Sequence, residues 1–97
     1  MTTYRFTSPA FSELKQATLH YDEKENGLGV IFLDEVDATV ARILANPHAW
    51  HPLSRRTRRC RTHRFPFRLI YQIRSNEIFI TSVMHLRRDP TSWKHLL

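Results

Sequence analysis

Residues 67–85 read Phe-Arg-Leu-Ile-Tyr-Gln-Ile-Arg-Ser-Asn-Glu-Ile-Phe-Ile-Thr-Ser-Val-Met-His. Phe67, Leu69, Tyr71 and Ile73 alternate with Arg68, Ile70, Gln72 and Arg74. Beyond Ser75-Asn76, Ile78, Ile80, Ser82 and Met84 alternate with Phe79, Thr81, Val83 and His85. A period of two marks a strand, whose successive side chains point to opposite faces. Ser and Asn are turn residues, so the stretch predicts a β-hairpin. Apolar residues on both faces of 78–84 predict a central strand, covered on two sides. A further strand is expected just upstream, over about 59–65, ending at Phe65-Pro66.

Further back, the period becomes helical. Leu28, Phe32, Val36, Val40, Ile43 and Leu44 recur every three or four residues and predict a helix over 28–45, stopped by Asn46-Pro47. Phe11, Leu14, Ala17 and Tyr21 form the apolar stripe of an earlier helix, about 9–24. Ser8-Pro9 reads as its N-cap and first residue, and Asn26-Gly27 as its end. The short link makes the two helices an antiparallel hairpin. Residues 2–7 alternate as a short strand, and 47–57 read as a loop around Pro47, Trp50 and Pro52. Asp89-Pro90 breaks the chain before a short tail, where Trp93 and Leu96-Leu97 are read as a packed lid. The expected order is β-α-α-β-β-β. This is an α+β fold, with the helical hairpin on one face of a mainly antiparallel sheet, forming one domain over residues 1–97.

Composition agrees with one small core. The chain has 97 residues, 41% apolar and 25% charged, close to globular averages. No apolar run approaches the ~20 residues of a membrane span, so no membrane partner is expected. Met1 to Phe6 lacks the apolar stretch of a secretory leader. Cys60 is the only cysteine, which rules out an internal disulfide and suits a reducing cytoplasm. Charge is uneven. Residues 1–37 hold three basic residues against seven acidic ones, net −4, and residues 38–97 hold twelve against two, net +10. That asymmetry predicts a polyanionic partner for the second half.

The basic residues are concentrated. Residues 54–74 carry eight arginines and no acid: Arg55, Arg56, Arg58, Arg59, Arg61, Arg64, Arg68 and Arg74. The planar guanidinium grips phosphate or carboxylate bidentately. Alternation points Arg59 and Arg61 one way, and Arg58 and Arg64 the other. His85-Leu86-Arg87-Arg88 follows the last strand, where an imidazole beside arginines suits acid–base chemistry on a phosphate. Without a metal, such a group could cleave RNA through its 2′-hydroxyl, and the plainer alternative is a histidine packed at the strand's end. His48, His51, Cys60 and His63 have zinc-like spacing, but the surrounding arginines oppose a dication, so no metal and no cofactor is expected. Cys60 reads as a small core residue rather than a nucleophile.

Several segments together resemble one family. Phe11-Ser-Glu-Leu-Lys-Gln-Ala, Gly27-Leu-Gly-Val-Ile-Phe-Leu-Asp-Glu-Val, Arg64-Phe-Pro-Phe-Arg-Leu-Ile-Tyr and Val83-Met-His-Leu-Arg-Arg-Asp-Pro-Thr-Ser-Trp look like the RelE/ParE superfamily of bacterial type II toxins. The resemblance runs over about residues 4 to 93 and implies the same β-α-α-β-β-β order. It implies a growth-inhibiting toxin, neutralised by a cognate antitoxin that is acidic and folds on binding. RelE-like members cleave mRNA on the ribosome, whereas ParE-like members poison DNA gyrase.

The Tyr21 region, the Gly27-Leu28-Gly29 link and the His85-x-Arg87-Arg88 ending look closer to the ParE-like branch. Gyrase is therefore the expected target, with Arg58, Arg61, Arg64, Arg68, Arg87 and Arg88 contacting it. The alternative is a ribosome-dependent mRNA endonuclease using His85, Arg87, Arg61 and Arg64. A second alternative is a non-enzymatic nucleic-acid-binding domain. The antitoxin's tail is expected to wrap the helical hairpin and reach the basic sheet face.

Overall fold

A computed structural model of the chain describes residues 2–87, so Arg88, Trp93 and Leu96-Leu97 lie outside the described residues. The chain enters through strand β1 (Thr3–Phe6). Helix α1 (Ser8–Lys24) follows. Its cap is Thr7 rather than Ser8. The Thr7 amide donates to Ile80 O at 2.9 Å, which keeps the backbone extended for one residue more. Thr7 Oγ1 then accepts from the Ala10 amide at 3.4 Å, and Pro9 sits in the first turn. The side of α1 that packs is led by Ala10 and Leu14, with Ala17 and Tyr21 half-buried behind them. Phe11, expected inside, is 53% exposed.

Helix α2 (Leu28–Ala45) runs back against α1. Gly27 makes the turn at φ 91°, a left-handed conformation that side chains disfavour. One Oδ1 of Asp22 receives the amides of Gly27 (3.0 Å) and Gly29 (3.2 Å), two donors that the start of a helix leaves unsatisfied. The helices approach so closely here that a Cβ on Gly29 would stand 2.8 Å from the Thr18 carbonyl oxygen.

The rest of the chain is sheet. Strand β2 (His51–Pro52) lies in the expected loop. It pairs with strand β3 (Thr57–Arg61), which starts and stops earlier than the expected 59–65. Strands β4 (Phe67–Arg74) and β5 (Glu77–His85) form the expected hairpin around Ser75 and Asn76, both at positive φ. The order across the sheet is β1-β5-β4-β3-β2, parallel at β1–β5 and antiparallel elsewhere. β5 is thus interior, as its two apolar faces required.

Ala10, Leu14, Phe32, Val36, Val40 and Ile43 meet Cys60, Phe67, Leu69, Tyr71, Ile78, Ile80 and Val83 in one core. Tyr21, Phe32, Phe65 and Phe67 close its end, with ring centroids 4.9–6.1 Å apart. Among the described residues, no helix is long and apolar enough to cross a membrane.

Candidate functional site

Since Phe67, Leu69 and Cys60 face the helices, strand alternation turns Arg59, Arg61 and Arg68 to the opposite face. Arg61 and Arg68 are cross-strand partners. They border a cleft of about 670 Å³ at the β3 edge, flanked by His51 of β2 and by His63 and Arg64 of the 62–66 loop. Among the described lining residues there is no carboxylate. Burial, then the charges of Arg59 and Arg61, pushes the Arg68 guanidinium below its ordinary pKa.

Local chemistry builds the loop. Thr62 is buried, and its hydroxyl bridges to the carbonyls of Phe65 (2.8 Å) and Phe67 (3.1 Å), which curls the chain back. Arg64 sits at φ 67°, sparsely populated for a residue with a side chain. Helix α2 holds the loop from outside. Glu35 Oε1 accepts the His63 amide at 2.6 Å, and Arg42 Nη2 donates to the Arg61 carbonyl at 2.9 Å and to Thr39 Oγ1 at 3.0 Å. Cys60 is buried at the cleft wall. Desolvation pushes its thiol pKa up, and the nearby Arg42 partly offsets this.

The expected site residues divide. Arg61, Arg64 and Arg68 come together, and Arg59 joins them. Arg64 reaches the same cleft as Arg59 and Arg61, instead of the other face, because the strand has already ended. Arg58 stands on the helix side, where its Nη1 donates to the carbonyls of His48 (3.0 Å) and Trp50 (2.8 Å), tying the β2 segment down. His85 packs its ring on Phe67, 5.1 Å between centroids, also on the helix side. Its Nδ1 accepts the Arg87 amide at 3.0 Å, and the Arg87 side chain is exposed. Arg88 lies outside the described residues.

Arg74 belongs to a separate group. It and Arg5 flank the Phe79 ring at 4.7 and 5.5 Å, and Arg5 pairs with Glu77 at 2.7 Å. The sequence reading named neither Arg42 nor the strand that brings His51 to the cleft. The histidine spacing weighed for zinc was the one signal for His51 and His63. Among the described residues, no group of three potential ligands could hold a metal ion.

Comparisons with known proteins bear on this arrangement. The family described as "ParE toxin of type II toxin-antitoxin system, parDE" matches residues 4–90. A chain of the solved structure "Chromosomal ParDE TA system from P. aeruginosa" superposes with a TM-score of 0.77 at 19% identity, covering 90% of this chain and 98% of that one. At that identity the likeness speaks for the fold. No curated protein sequence gives a significant match.

Proposed function

The chain belongs to the ParE toxin family of type II toxin–antitoxin systems, and on that premise we propose that it arrests growth by binding DNA gyrase through the basic cleft, and that a cognate antitoxin neutralises it. The observation that carries the reading is a division of chemistry across the sheet. Arg59, Arg61 and Arg68 share one face, while His85 packs on Phe67 on the other. Charge is available there for gripping a partner, without His85 to move a proton. Arg64 and the exposed Arg87 extend the contact surface. Arg58 contributes by fixing the segment that frames it.

The test has two steps. The chain is expressed inducibly while DNA and protein synthesis are labelled separately, and replication is expected to fail first. The purified protein is then added to gyrase in a supercoiling assay. Arg61→Ala with Arg68→Ala should lose inhibition, and His85→Ala should keep it.

One observation favours a second reading, ribosome-dependent mRNA cleavage. The exposed imidazoles of His51 and His63 border the same cleft as the arginines. Under that reading translation fails first, and replacing either histidine costs 10²- to 10⁴-fold in rate, as general acids and bases typically do.

The antitoxin proposed here presents an acidic segment that folds on binding and covers the cleft. The absence of carboxylates among the described lining residues supports an acidic partner.

A further inference from the structure

We propose that residues 88–97 turn back over the sheet face away from the helices, where Trp93 seats on Ile70 and Met84 beside the arginines of the cleft. The inference goes beyond the gyrase reading and does not depend on it.

Three observations carry it. The first is burial on the face without helices. Leu69, Tyr71 and Val83 face the helices and belong to the core. Alternation therefore turns Ile70 and Met84 to the other face, and neither belongs to that core. Yet Ile70 is 0% exposed and Met84 3%. Thr57 and Gln72 share that face and are buried too, with Gln72 Nε2 donating to Thr57 Oγ1 at 3.2 Å. Ile70 loses its surface within a single chain, so the cover belongs to this chain and not to a partner.

The second is position. The Leu86 amide donates to the Pro66 carbonyl at 2.8 Å, and Leu86 borders the cleft, so the chain runs on into 88–97 from the cleft's own edge. Ile70 pairs with Ser82, four residues before Leu86, or about 13 Å back along β5. Arg87 to Trp93 is six residues, which span up to about 20 Å, enough to double back that far. Asp89-Pro90 is a turn-forming pair where the reversal is needed.

The third is the chemistry of the seat. Arg59 is the cross-strand partner of Ile70, and Arg68 of Met84. An aliphatic chain and a thioether between two guanidinium groups suit an indole. Its face is apolar, it takes a sulfur contact well, and it is the best ring for a cation–π contact. Leu96 and Leu97 offer apolar surface alone and make no use of the arginines. Burial also lowers the Arg68 pKa, in keeping with a ring laid over its guanidinium.

The experiment uses the full chain with labelled isoleucine and methionine methyl groups. Nuclear Overhauser cross-peaks should join the Trp93 indole protons to the methyls of Ile70 and Met84. This measurement needs no variant, so it decides the matter even if a substituted chain folds poorly. A second readout is oxidation of Met84 by hydrogen peroxide, followed by mass spectrometry. Trp93→Ala should speed it severalfold, and Trp93→Phe should stay close to the parent.

Absent cross-peaks overturn the proposal, and so does Met84 oxidation at one rate in all three chains, which would leave the arginine stems as the cover. Cross-peaks that arise only between differently labelled chains in a mixed sample also overturn it, because the tail would then belong to a second copy.

Discussion

Tyr71 is fully buried in the sheet, and its hydroxyl donates to the Pro47 carbonyl at 2.5 Å. That bond ties the segment leaving α2 to β4. Removing the hydroxyl leaves an acceptor without its donor, so Tyr71→Phe should cost about 1–2 kcal/mol in urea denaturation at neutral pH. Burial also pushes the Tyr71 hydroxyl far above the ordinary tyrosine pKa, although the charge of Arg58 pulls the other way. Below about pH 10 both folded and unfolded chains keep this proton, and the stability it represents is intact. Above that, the unfolded chain ionises while the folded chain resists, so stability falls as pH rises. The urea midpoint of the parent should therefore drop steeply above about pH 10. The drop should be shallower in Tyr71→Phe. An equal drop in both proteins would count against Tyr71 as its source.

The helical hairpin turns on three residues at one corner. Gly29→Ala would force a methyl group to within 2.8 Å of a backbone carbonyl, which neither helix can yield without shifting. Overpacking of this kind costs about 1–3 kcal/mol, so thermal unfolding of Gly29→Ala should move down by several degrees. Asp22→Ala removes the acceptor for two amides and should cost about 1 kcal/mol, as lost helix caps do. Hydrophobic period is why both helices and the β4–β5 hairpin were legible in advance, since long periodic segments leave little choice of partner face. Errors fell where side chains, not periodicity, set the boundary. The Thr62 hydroxyl and the positive φ of Arg64 end β3 early, and neither leaves a compositional trace. Two residues of β2 are too few to show any period. Phe11 and Ala10 both extend a plausible stripe. The small residue is the one held inside, and the ring is left out.

At the scale of the whole molecule, Arg59, Arg61, Arg64 and Arg68 of the basic half gather around one cleft. The arginines of 59–68 were legible as a charged face because no short sheet can bury them. The cleft itself was not, because its walls come from β2, α2 and a curled loop that meet only through space. If an acidic antitoxin covers this surface, its affinity should fall as salt rises, since exposed charges are screened beyond about 8 Å at physiological ionic strength. Calorimetric titration at rising salt checks this, and a flat response would exclude a charge-driven complex.

The parallel seam between β1 and β5 has a different bearing, on the order of synthesis. Thr7 and Ile80, which hold one end of that seam, are 73 positions apart in the chain. A ribosome delivers β1 and both helices first, and they wait without their sheet until Glu77 to Ile80 emerge. Translation must pass Ile80 before one molecule of toxin can fold. A chain stopped after Arg74 should show no cooperative unfolding transition and no effect on growth, so abortive translation products should be harmless to the cell that makes them.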